Sequence, residues 1–114
     1  MATGNDLRRI ALALPHAEEK PHFERASFRV AAPRGKIFAT LPADGRTANL
    51  MLSRDQQSLL CDAEPDLFSP VPNKWGETGA TVFQIAQADL VTLQSALRLA
   101  WTTAAPPNLH VLLD

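Results

Sequence analysis

The sequence predicts an α+β domain, an antiparallel β-sheet with helices packed on one face, in the order α-β-β-β-α-(β)-β-α. Three observations carry this prediction. Apolar residues repeat at helical spacing near both ends of the chain. Short alternating segments, broken by turn sequences, fill the stretch between residues 27 and 52. The strands come in a group joined by short turns, which favours segregated α+β layers over alternating βαβ units. At 114 residues the chain is sized for one domain, 1–114, and 46% hydrophobic content supplies a core without disulfide or metal support.

Leu7, Ile10, Ala11 and Leu14 make one apolar helical stripe, with Asn5 or Asp6 as its cap and Pro15 as its stop. Residues 16–25 show no period and read as a polar connection. Ser27 to Ala31 alternates, with Phe28 and Val30 on one face. Pro33-Arg34-Gly35 is a turn, Lys36 to Leu41 the next strand, Pro42-Ala43-Asp44-Gly45 a second turn, and Thr47 to Leu52 a third strand. The three form an antiparallel meander.

Ser53 and Gln56 fit a capping box for a helix running through Leu59, Leu60 and Ala63 to Pro65. Residues 66–80 are rich in turn formers, with Ser69–Pro72 as a short edge strand, where proline is tolerated. Thr81 to Ile85 alternates as a strand. Leu90, Leu93, Leu97, Trp101 and Ala104 describe a long amphipathic helix, stopped by Pro106-Pro107. The apolar tail from Leu109 to Leu113 must pack on the domain or on a partner. The expected core is Leu14, Phe28, Ile37, Phe38, Leu50, Phe83, Leu93, Leu97 and Trp101.

Catalytic chemistry finds no foothold. No Gly-x-Ser-x-Gly elbow is present, and Ser27, Ser53, Ser58, Ser69 and Ser95 have strand, cap or helix explanations. His16, Glu18, Glu19 and His22 lie close together without metal-ligand spacing, so no metal and no cofactor are expected. Arg34-Gly35-Lys36 enters a strand, whereas a phosphate-binding loop places its Gly-Lys at a helix start. The lone Cys61 cannot form an intrachain disulfide and reads as a small buried residue. With no apolar run long enough to span a bilayer, a cytoplasmic, membrane-free protein is expected.

The net charge of −1 argues against a dedicated DNA binder, whose affinity comes from neutralising phosphates. Its distribution is uneven. Residues 20–54 carry seven cations against two carboxylates, and residues 55–114 two cations against seven carboxylates. Either the basic segment meets an anionic partner or the two segments neutralise each other in the fold. The basic series Arg25, Arg29, Arg34, Lys36 and Arg46 lies on or beside the meander, with Arg29 and Lys36 placed on the solvent side if Phe28 and Ile37 face the core. The second notable feature is Asn73-Lys74-Trp75-Gly76-Glu77-Thr78-Gly79, an indole in a glycine-bounded loop. Tryptophan is usually buried, so the expected role of Trp75 is to fold back and cap the sheet; an exposed ring would be a stacking surface.

Several stretches together resemble the MmcQ/YjbR family of small bacterial proteins: Leu7 through Pro15, Ser27-Phe28-Arg29-Val30, Gly35 through Leu41, Trp75-Gly76-Glu77-Thr78-Gly79, and Trp101 through Ala105-Pro106 to Leu109. The resemblance implies a fold related to CyaY and to secretion chaperones, and DNA binding through a double-wing arrangement of strands and loops. It implies no enzymatic activity. Where many members have a basic residue at the end of the last helix and two after its Ala-Pro, this chain has Thr102, Pro107 and Asn108, and where members often have tryptophan after the second loop glycine it has Ala80. The leading expectation is therefore a non-enzymatic domain with weak, salt-sensitive DNA or nucleic-acid binding by Arg29, Arg34, Lys36, Lys74 and Trp75. The alternative is a protein- or peptide-binding module, in dimeric form or not, with no nucleic-acid role.

Overall fold

In the computed structural model, which describes residues 1–113, helix α1 spans Gly4–Ala13. Its cap is Thr3, not Asn5 or Asp6. The backbone N–H of Asp6 donates to the Thr3 hydroxyl at 3.1 Å, and the Asp6 carboxylate accepts from the Thr3 N–H at 2.9 Å. This reciprocal pair satisfies two N–H groups the helix would leave orphaned. Strands β1 (Ala17–His22), β2 (Arg25–Val30), β3 (Ile37–Pro42) and β4 (Thr47–Met51) follow. Then come α2 (Arg54–Ala63), β5 (Phe68–Pro70), the single-turn α3 (Lys74–Glu77), β6 (Ala80–Gln84) and α4 (Leu90–Ala104). The strands form one antiparallel sheet in the order β1-β2-β3-β4-β6-β5, with helices on one face.

The expected polar connection at 16–25 is instead strand β1, paired with β2 from Ala17↔Val30 to His22↔Arg25. An edge strand needs no apolar alternation. Glu19 takes a salt bridge from Arg8 of α1 at 3.0 Å, Glu18 one from Lys20 at 3.5 Å, and Pro21 is harmless where no further strand pairs. The period that announces a half-buried strand is therefore missing.

A bulge corrects the reading of β3. Phe28 pairs with Ala39 but Arg29 pairs with Ile37, so residue 38 is skipped by the register. An extra residue in one strand lets two successive side chains face the same way. Phe38 and Ala39 are accordingly both buried, while Ile37, expected in the core, is only half-buried beside Arg29 on the opposite face. The other expected core residues are buried as predicted.

Helix α4 lies over β2, β3 and β4 and against α1, and α2 packs on β5. The inward stripe of α4 is Leu93, Ala96, Leu97, Ala100, Trp101 and Ala104, and the Trp101 indole N–H donates to the Pro15 carbonyl at 2.8 Å. That bond lets a large ring be fully buried without an unsatisfied donor. In α2 the Ser53–Gln56 capping box forms as read, both bonds at 3.1 Å. Its inner face is Gln57 with Leu60 and Cys61, whereas Leu59 stays 69% exposed. Burial pushes the Cys61 thiol up, and Asp62 adds to it. The tail forms a 3-10 helix, Pro107–Leu113, whose Leu109 and Leu113 lean on the core while Val111 and Leu112 remain exposed.

Acid should loosen the starts of α1 and α4 first. Backbone N–H groups of Thr3 and Thr92 hold the carboxyls of Asp6 and Asp89 below their ordinary value of 3.8. A folded-state value below the unfolded one means the stabilisation is complete above about pH 4 and lost as pH falls through the lowered value. Amide exchange of residues 4–7 and 90–93 should therefore rise below pH 4 ahead of the sheet, and equal acceleration throughout would contradict this.

Candidate nucleic-acid interface

The β2–β3 connection is built by close backbone approach. The Gly35 N–H donates to Ala32 O at 2.8 Å, and a Cβ on Gly35 would lie 2.0 Å from Val30 O, so only glycine fits. Arg34 before it sits at φ +67, and the Lys36 N–H donates to Ala104 O at 3.2 Å, tying the connection to the end of α4. Both side chains are exposed. Arg29 differs from the expectation of a free solvent-side cation: it is half-buried, and its Nε is buried with no hydrogen-bond partner among the described residues.

Lys74 and Trp75 open α3, where Asn73 Oδ1 accepts from the Trp75 N–H at 2.8 Å. Two glycines press this turn onto the sheet. A Cβ on Gly76 would lie 1.8 Å from Val71 O, and one on Gly79, at φ +117, 2.0 Å from Leu52 O. The buried Gln57 amide, from α2, donates to Gly76 O at 2.8 Å and Ala80 O at 2.9 Å. The Trp75 indole takes no part in the packing that the sequence suggested for it; the residue is 61% exposed. Gln57 had no legible signal, because a glutamine in a helix reads as solvent-facing until its partners are known.

The antiparallel order brings these groups to one end of the sheet. The end of β2, start of β3, end of β4 and start of β6 all lie there. The Arg34-Lys36 connection leads into β3 and the Lys74-Trp75 turn leads toward β6, the two strands that flank β4. Arg54, the first residue of α2 and exposed, joins that end from the close of β4, although sequence reasoning did not select it. Arg46 falls at the other end, before β4. Arg25 is held on the sheet, its Nε donating to Thr40 Oγ1 at 2.9 Å, and burial lowers its pKa.

Among the described residues the two charged segments form no ion pair with each other. The ion pairs among the described residues are Arg8–Glu19, Arg9–Asp6 and Lys20–Glu18, all within the first twenty residues. Arg29, Arg34, Lys36, Arg54 and Lys74 take no carboxylate partner there. Among the described residues no three His, Cys, Asp or Glu side chains are grouped to hold a metal, and no helix is long and apolar enough to cross a membrane.

The YjbR family model matches residues 12–103, from the end of α1 through nearly all of α4. The chain belongs to the YjbR family. The YjbR fold also appears in the crystal structure of the Deinococcus radiodurans protein DR2400, a DUF419 domain. That structure is similar with a TM-score of 0.73 over 95% of this chain and 82% of that one, at 22% identity. No curated protein matches the chain. Within this YjbR domain the Trp-Gly-Glu-Thr-Gly stretch divides by role: its glycines fix the turn to the sheet and its tryptophan is presented to solvent.

Proposed function

We propose that this YjbR domain is a non-enzymatic binding domain that holds nucleic acid weakly. Arg29, Arg34, Lys36 and Lys74 contact phosphates, and Trp75 stacks on a base. The observation that carries this reading is the set of cations without ion-pair partners gathered with an exposed indole at one end of the sheet. Cations already paired would have to break those pairs to reach phosphate; these do not. A fluorescence-polarisation titration at about 50 mM salt tests it. Each lost phosphate contact should weaken binding about tenfold, so Lys36→Ala with Lys74→Ala should cost close to two orders of magnitude. Trp75→Ala should cost about 1–3 kcal/mol on single strands and little on duplex. Wild-type protein that binds neither would remove the reading.

One observation favours protein association as a second reading. Phe23, in the two-residue turn between the paired His22 and Arg25, is 94% exposed at φ +59. A bulky residue in that region costs about 1–3 kcal/mol, which glycine would relieve. Phe23→Gly should stabilise the free domain by about 1 kcal/mol in a urea melt. On this reading it should also shift a dimer to monomer in light scattering. A wild-type protein that stays monomeric at high concentration argues against self-association through this turn.

A further inference from the structure

The face of the sheet opposite the helices has a composition that the rest of the surface lacks. Strands β2 to β6 contain no aspartate or glutamate, and on β1 the one carboxylate of this face, Glu18 opposite Arg29, is taken by Lys20 at 3.5 Å. The carboxylates of the acidic half stand instead on α2, α3, the cap of α4 and the connections, including Asp55, Asp62, Glu64, Asp66, Glu77 and Asp89. Alternation and the bulge at residue 38 place Arg25 and Arg29 on this open face. They are four residues apart on one strand, about 13 Å. Arg25 is pre-organised by its two bonds to Thr40, at 2.9 Å and 3.4 Å. Arg29 holds a buried Nε–H with no acceptor.

Beside the arginines, across β3, β4 and β6, the face is uncharged, with Thr40 and Asn49 set among apolar residues. Ile37 on β3, Met51 on β4 and Val82 on β6 are half-buried, and Asn49 pairs across from Val82. An apolar floor next to guanidinium groups matches a ligand with an anionic backbone and exposed flat bases. A duplex turns its phosphates outward and keeps its bases stacked inside, so it cannot use that floor. Single strands use both a cationic track and a surface that accepts base faces.

We propose that the open sheet face is a binding platform for single-stranded nucleic acid, with Arg25 and Arg29 on its phosphates and Ile37, Met51 and Val82 under its bases. This deepens the nucleic-acid reading above and rests on it. The strand crosses from β2 over β3 and β4 toward β6, whose start adjoins the Lys74-Trp75 turn. The platform therefore extends the cationic end of the sheet rather than competing with it.

The test uses the intact chain with fluorescent oligothymidylate, oligouridylate and a duplex, each about ten nucleotides long, at about 50 mM salt. The expected result is tighter binding of the single strands than of the duplex by tenfold or more. Tighter oligouridylate binding assigns RNA as the ligand, and tighter oligothymidylate binding assigns DNA. Asn49→Glu and Val82→Glu, each a carboxylate on the platform and away from the cationic end, should weaken single-strand binding at least tenfold. Amide-shift mapping of the wild-type protein, which needs no variant to fold, should show the oligonucleotide footprint on residues 47–51 and 80–84. A footprint confined to residues 34–36 and 74–75, or duplex bound as tightly as single strand, would overturn the platform while leaving the cationic end in place. No binding of any probe would overturn both.

Discussion

Gly76→Ala and Gly79→Ala should each lower the stability of the domain by about 3–5 kcal/mol, combining steric conflict with backbone strain. The causes differ at the two positions. At Gly76 the backbone angle is ordinary, and the cost comes from a methyl 1.8 Å from Val71 O, where the obstacle is backbone of the same chain leaving β5. At Gly79 the methyl meets Leu52 O at 2.0 Å, and φ +117 is a conformation that side-chain-bearing residues rarely adopt. Neither obstacle is a flexible side-chain tip, so the chain leaving β5 or β4 has to move. For a domain of this size the loss should appear as a fall of roughly 10–20 °C in melting temperature. Lys74→Ala and Trp75→Ala, in the same short motif, should stay within about 0.5 kcal/mol, because both side chains are exposed. Equal losses at the glycines and at Trp75 in thermal melts would mean that the indole is a packing group after all.

Raising salt from about 50 to 200 mM should weaken nucleic-acid binding roughly 100-fold. Three or four of the cations at one end of the sheet can reach phosphates together, and each neutralised phosphate contributes about −0.9 to the slope of log K against log salt. The absence of ion pairs at Arg29, Arg34, Lys36 and Lys74 among the described residues means that salt has no intramolecular pairs to free there. The slope then reports ligand contacts alone. Removing Lys36 and Lys74 together should flatten it by nearly two units. Sequence preference should be slight, because no helix presents an Arg, Asn or Gln set suited to a major groove. Titrations at four salt concentrations measure the slope, and a slope near zero would mean that the cations do not meet phosphate.

Much of the fold was legible because its signals are local. The stripes of α1 and α4, the Ser53–Gln56 box and the alternation of β2, β4 and β6 depend only on residues a few positions apart. Strand β1 was not legible: its Glu-Glu-Lys run is explained by partners on α1 and by an unpaired edge, neither of which is adjacent in sequence. The bulge was equally hidden. Skipping Phe38 turns Ile37 outward onto the face that carries Arg29, and a period-two reading cannot detect an inserted residue.

By itself the sequence determined the fold class, the uneven charge and the two stretches that carry candidate contacts. Composition and short-range period are enough for these. Only the tertiary structure decided that Arg34, Lys36, Arg54 and Lys74 take no carboxylate partner among the described residues, that Trp75 is exposed to solvent, and that these four cations share one end of the sheet. Whether two charges meet, or a ring finds a core, depends on strand order. The order β3-β4-β6, with α2, β5 and α3 inserted between β4 and β6, sets the strand entered from Lys36 and the strand entered from α3 on either side of β4, although 38 positions separate residues 36 and 74 along the chain.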